Sequence, residues 1–194
     1  MMLTADIAST RSTRMWPLTW VAVEVFMAVY LGLLASRTDS VSHLITIAAF
    51  AFPLLVILLV DWGTRVIYTN WIAVGTVLAL GVAGLDGLRS FLDALGGLAT
   101  GAVVFGGFYI LALLLYRDVR VVSLGAGDVL LAAMIGAMTG DILAAVGTLF
   151  YGILLAALGA GLLLLTRRGS QRKALPSGAY LCVGAFVGLA LQVW

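Results

Sequence analysis

Apolar residues run along this chain in long blocks separated by short polar breaks, and the blocks predict helices. Seven segments can be drawn: Trp16 to Ala35, His43 to Val60, Trp71 to Leu85, Ala94 to Tyr116, Asp128 to Thr139, Ile142 to Thr166, and Gly178 to Trp194. A helix needs roughly 20 residues to cross a hydrocarbon core of about 30 Å, and most of the blocks approach that length. None shows the strict apolar-polar alternation of a barrel strand. The expected fold is all-α, a polytopic transmembrane helix bundle of about seven segments, six to eight at roughly 20 residues each. It is expected to form a single domain over residues 1–194, with residues 1–15 as a cytoplasmic tail.

One block is too long to be a single helix. From Asp128 to Thr166 apolar character is nearly continuous. At roughly 1.5 Å per residue such a helix would run about 58 Å, almost twice the hydrocarbon thickness. The chain must turn back. The sequence "TGD" at Thr139 to Asp141 supplies the break, with Gly140 as a C-terminal cap and Asp141 as the N-cap of the next helix.

Composition agrees with the pattern. Hydrophobic residues make up 63% of the 194 and charged residues 10%, far from the balance of a soluble globular domain. Cys182 is the single cysteine, which excludes an intrachain disulfide and a CxxC metal site; it reads as a small buried residue. The first segment follows Arg11 and Arg14 as a signal peptide would, but no A-x-A site follows it. It reads as a retained first helix.

Charge then orients the segments. With a cytoplasmic N-terminus, the inner segments carry Arg11, Arg14, Arg65, Arg117, Arg120, Arg167, Arg168, Arg172 and Lys173, and the outer loops only Arg37 and Arg89. This asymmetry is the positive-inside pattern, and it accounts for the cations without a nucleic-acid partner. Asp86 and Asp93 flank an outer "GLRSFL" segment expected to lie in the interface.

Six of the nine acidic residues fall in the tail or in loops; Glu24, Asp61 and Asp128 do not. A carboxylate in an apolar span costs at least about 2.5 kcal/mol, so each is a candidate functional residue. Asp61 closes the second segment and Asp128 opens the fifth, and alternating spans place both at the cytoplasmic side. Two carboxylates at one level can share a proton and activate a water molecule. The plainer alternatives are that Asp128 only N-caps its helix and that Asp61 pairs with Arg65. Gly125 and Gly127 precede Asp128 in "GAGD", where backbone is expected to approach closely or to adopt conformations closed to other residues. Glu24, mid-span in the first segment, reads as a protonated hydrogen-bond donor within the bundle, and His43 as an interfacial residue. No His or Cys cluster points to a metal, and no Ser-His constellation stands at the carboxylate level. The glycines of "GGLATG", "GAVVFGG" and "LGAGLL" read as sites of close helix packing.

These residues resemble the type IV prepilin peptidase family, the GxGD intramembrane aspartic peptidases. "GAGDVLLAAMIG" is similar to the family's second catalytic motif, "VDWGTRVIYTNW" to its first, and "ALPSGAYLCVGAFVGL" to the closing Pro-x-Gly motif before the last helix. The three stand in family order across roughly Val60 to Leu189. Leu130 occupies the place of the family's usual lysine, and Tyr68 and Thr69 stand where its first motif has a proline. The resemblance is to the short, peptidase-only form found with tight-adherence pili and archaeal preflagellins, without methyltransferase activity. It implies an aspartic endopeptidase of a prokaryotic cytoplasmic membrane that removes the short basic leader of prepilin-like substrates at the cytoplasmic face. It further implies Asp61 and Asp128 as the catalytic pair, Gly125, Gly127, Asn70, Pro176 and Gly178 as motif or cleft residues, and no metal or organic cofactor. Two rival readings are a small proton- or cation-coupled transporter using Glu24, Asp61 and Asp128, and a noncatalytic membrane scaffold descended from the peptidase.

Overall fold

The computed structural model describes residues 16–38, 40–64, 68–116, 125–165 and 177–191. These form α1 (Trp16–Ala35), α2 (Val41–Thr64), α3 (Thr69–Asp86), α4 (Leu88–Tyr116), α5 (Ala126–Thr139), α6 (Ile142–Leu165) and α7 (Ser177–Leu191). Among the described residues there is no strand, and the all-α reading holds. The tail 1–15, Arg65, the cationic stretch 167–173, Pro176 and Trp194 lie outside the described residues.

Among the described residues four stretches are long and apolar enough to cross a membrane: Val41–Thr64, Thr69–Asp86, Leu88–Leu115 and Ile142–Leu162. Large apolar side chains such as Val77, Val103, Leu114 and Leu143 are exposed along them. Such surface suits lipid and would be a liability in water. The chain is a membrane protein with transmembrane-type helices.

The described chain divides into two units, Met1–Leu44 and Ile45–Trp194. The first holds α1, on which Glu24 is exposed. The second holds most of α2 and all of α3 to α7. Within it α5 packs against α3, α4, α6 and α7. At 14 residues α5 is about 21 Å long at ~1.5 Å per residue, too short to span alone. Every residue from Leu131 to Thr139 is buried. A helix apolar on all sides belongs inside the protein, and α5 is the core of this unit.

Small residues let the helices approach. A Cβ at Gly97 or Gly101 on α4 would strike the backbone of α5, at Gly136 and Ala132 respectively. Gly184 on α7 stands equally close to the backbone of Gly152 on α6, and Gly159 on α6 faces the ring of Tyr180. The close-packing expectation is met at these positions, but Gly107 and Gly161 face open space.

The turn at "TGD" forms as its chemistry requires. Gly140 adopts φ 64°, ψ 10°, a left-handed conformation in which glycine carries no Cβ penalty. Asp141 Oδ2 accepts the N–H groups of Leu143 and Ala144 at 3.1 and 3.2 Å, capping α6.

Several boundaries differ from expectation. The α3–α4 link is Gly87 alone, at φ 121°, so most of "GLRSFL" and Asp93 belong to the opening turns of α4 and not to a loop. A positive-φ glycine joins the two helices in one residue, which hydropathy does not register. α2 continues to Thr64, so Asp61 lies inside its last turn. α5 starts at Ala126, two residues before Asp128.

Candidate active site

Asp61 stands at the end of a buried seam. Along α2 the residues Ile47, Phe50, Leu54, Ile57 and Asp61 are buried, at alternating spacings of three and four. That spacing keeps one face of a helix in register, so the carboxylate occupies a position the pattern would give to an apolar side chain. It is 4% exposed.

Asp128 is fixed by the opening of α5. Gly125 is the residue preceding the helix, and Asp128 is the third residue within it. The Gly125 N–H donates to Asp128 Oδ2 at 2.8 Å, while the Asp128 N–H donates to the Gly125 carbonyl at 3.0 Å. This reciprocal pair is the logic of a capping box, with glycine at the cap and aspartate reaching back. Asp128 therefore does not itself cap α5. Gly125 lies at φ −105°, ψ 167°, an extended conformation open to any residue, and a Cβ there would sit 3.9 Å from Asp128 Oδ2. Of the two alternatives expected for Gly125, the structure has the close backbone approach, through its N–H on Asp128, and not a conformation closed to other residues. Gly127 lies half-buried in the first turn of α5.

The two carboxylates meet on α7. The Ser177 hydroxyl donates to Asp128 Oδ1 at 2.9 Å, and the Ala179 N–H donates to Asp61 Oδ2 at 2.7 Å. Ser177 and Ala179 lie in the first turn of α7, where backbone N–H groups have no partner within the helix. One helix start thus holds both aspartates, which are 3% and 4% exposed. The Cys182 thiol, wholly buried, stands one turn further along α7.

Other candidates fall differently. Gly178 is buried between the two anchoring residues of α7. Asn70 is exposed in the first turn of α3. Leu130, on the turn after Asp128, is exposed. Among the described residues no three His, Cys, Asp or Glu side chains group as metal ligands.

Ser177 and the Ala179 N–H are absent from the sequence reading. Ser177 was legible there only as the middle of "PSG", a polar residue opening a helix. Its bond to Asp128 spans 49 residues and has no local signature.

Chemically, a pair of buried carboxylates on fixed donors can hold one proton between them and polarise a water molecule. No protein-family model, no curated protein and no solved structure matches this chain.

Proposed function

We propose that this protein is a membrane-embedded aspartic endopeptidase in which Asp61 and Asp128 act as one proton-sharing pair. The observation that carries the proposal is the gathering of two buried carboxylates, from α2 and α5, on the first turn of α7. A structural acid in an apolar bundle needs one partner; two acids placed together repel unless a proton is shared. That cost is a reason to look for chemistry at the pair.

In the proposed reaction the ionised member takes a proton from water as the water oxygen bonds to the peptide carbonyl carbon. The protonated member gives its proton to the carbonyl oxygen. Collapse of the tetrahedral intermediate breaks the C–N bond: the leaving nitrogen takes a proton from the carboxyl that was the base, and one of the two hydroxyls on the carbon returns its proton to the carboxylate that was the acid. The pair returns to its starting state with one proton.

For substrate, we propose a prepilin-like membrane protein with a short basic leader followed by an apolar stem. The exposed apolar faces of the helices suit such a stem in a bilayer. The excess of cations on one set of loops supports a cytoplasmic N-terminus and a site at the cytoplasmic face of a prokaryotic cytoplasmic membrane. The sequence motifs around Asp61, Asp128 and Gly178 point the same way.

The test is cleavage of a co-expressed prepilin-like substrate by the wild type, Asp61→Asn and Asp128→Asn, with membrane abundance of each measured. The expected result is leader removal by the wild type and loss of it in both variants at normal abundance. Cleavage by either variant refutes the paired mechanism. A wild type that cleaves none of several candidate substrates refutes the peptidase reading and leaves the transporter or scaffold.

A further inference from the structure

We infer that Ser177 is a positioning residue for the proposed reaction, holding Asp128 in one orientation while its protonation changes. The inference rests on the peptidase reading and adds to it the residue at the variable position of the Pro-x-Gly motif.

Asp128 has a donor on each oxygen, and the two donors differ in kind. On Oδ2 the donor is the Gly125 backbone N–H, which can only donate. On Oδ1 it is the Ser177 hydroxyl, which donates in this structure and can also accept after rotating about its C–O bond. A general base must exist in two states during turnover: ionised before it takes the proton of water and protonated afterwards. Two N–H donors would suit only the first state. One N–H and one hydroxyl suit both, because the hydroxyl turns to accept when Asp128 Oδ1 carries the proton. Ser177 keeps its partner through the cycle, and the carboxyl group does not swing.

The place of Ser177 in the fold strengthens this role. Ala179, two residues along the same first turn, donates to Asp61. A helical turn is stiff, so Ser177 and Ala179 together fix where the two carboxylates stand relative to each other. Loss of the hydroxyl leaves Asp128 held at Oδ2 alone, by the Gly125 N–H, while Asp61 keeps its bond to Ala179. The reacting geometry of such a pair tolerates little displacement, since misplacement of about 1 Å costs on the order of 100-fold in rate.

The measurement is steady-state cleavage of a purified prepilin-like substrate in detergent by the wild type, Ser177→Ala, Ser177→Thr and Asp128→Asn, each normalised to folded protein. Ser177→Ala is expected to lower kcat by about 10- to 100-fold with KM within about twofold, the range for loss of a hydrogen bond to a charged group. Ser177→Thr, which keeps the hydroxyl, is expected to recover kcat to within about threefold of wild type. If Ser177→Ala does not accumulate, Ser177→Cys takes its place, with similar volume and only a weak donor.

With an active wild type and an inactive Asp128→Asn, a Ser177→Ala rate within twofold of wild type overturns the role of Ser177 and leaves the peptidase reading intact. Equal losses in the alanine and threonine variants also overturn it, because the hydroxyl then makes no difference. An inactive wild type, or an active Asp128→Asn, overturns the peptidase reading and this inference with it.

Discussion

The backbone N–H of Ala179 donates to Oδ2 of Asp61 at 2.7 Å across 118 residues of chain. A buried acid on α2 is thereby tied to the first turn of α7. The bond satisfies an N–H that the helix cannot satisfy itself. Removing the acceptor should cost stability as well as any chemistry. Asp61→Ala is expected to destabilise the protein by about 1–3 kcal/mol, the penalty for a buried donor left without a partner. Asp61→Asn keeps a carbonyl acceptor and should lose less than about 1 kcal/mol while abolishing proton sharing. Unfolding by SDS titration in mixed micelles measures both; equal stability loss in the two variants would sink the distinction.

The proton sharing proposed for Asp61 and Asp128 predicts a bell-shaped rate against pH. At low pH both carboxyls are protonated and no base remains; at high pH both are ionised and no acid remains. Cleavage rates measured from about pH 4 to about pH 9 should pass through a maximum, and a monotonic profile argues against the shared proton.

Glycines at the α4–α5 crossing and at the opening of α5 should respond unequally to alanine. At Gly101 a Cβ would meet the carbonyl of Ala132, which is backbone and cannot turn aside. Gly101→Ala is expected to cost about 1–3 kcal/mol. At Gly125 the added methyl would make only ordinary contacts at 3.9 Å, on extended backbone. Gly125→Ala should cost under about 1 kcal/mol, as alanine replaces glycine at a cap. Thermal denaturation in detergent tests the pair, and similar midpoints for both variants would contradict the packing described.

The α5–α6 turn offers a separate check away from the carboxylates. Asp141→Ala removes the acceptor for the N–H groups of Leu143 and Ala144 and should cost about 0.5–2 kcal/mol. Gly140→Ala forces a side chain into the left-handed region, at about 1–2 kcal/mol. Neither change touches the candidate site, so specific cleavage per folded molecule should stay within about twofold of wild type, under ~0.4 kcal/mol. A large drop in that rate would mean the turn is coupled to the site.

Cys182 provides a probe of α7 docking. Its side chain is wholly buried. In mild detergent N-ethylmaleimide should leave it unmodified over a time in which SDS-denatured protein reacts fully, because an inaccessible thiol is inert. Asp61→Ala, which frees one anchor of α7, should raise the labelling rate. Rapid labelling of the folded wild type would refute the buried placement.

What the amino-acid order determined by itself is the part of this protein governed by local physics. Block lengths set the number of helices, since each must match hydrocarbon thickness or turn back. Cap chemistry placed the turn at Gly140 and Asp141, because αL backbone and a side-chain acceptor are needed within a few residues. The cost of burying charge singled out Glu24, Asp61 and Asp128 among nine acids; the structure buries the two aspartates and leaves Glu24 exposed. Helix boundaries were less legible: a single positive-φ glycine at position 87 replaced an expected loop, and α2 ran a turn beyond Asp61. Tertiary structure alone decided what holds the two acids. Ser177 reaches Asp128 and Ala179 reaches Asp61 only because α7 starts beside α2 and α5, across separations of 49 and 118 residues. Periodicity and capping act within a turn or two of helix. Hydrogen bonds between distant segments depend on how whole helices pack, and that packing is set by buried shape, such as glycine against backbone, which no short window of sequence contains.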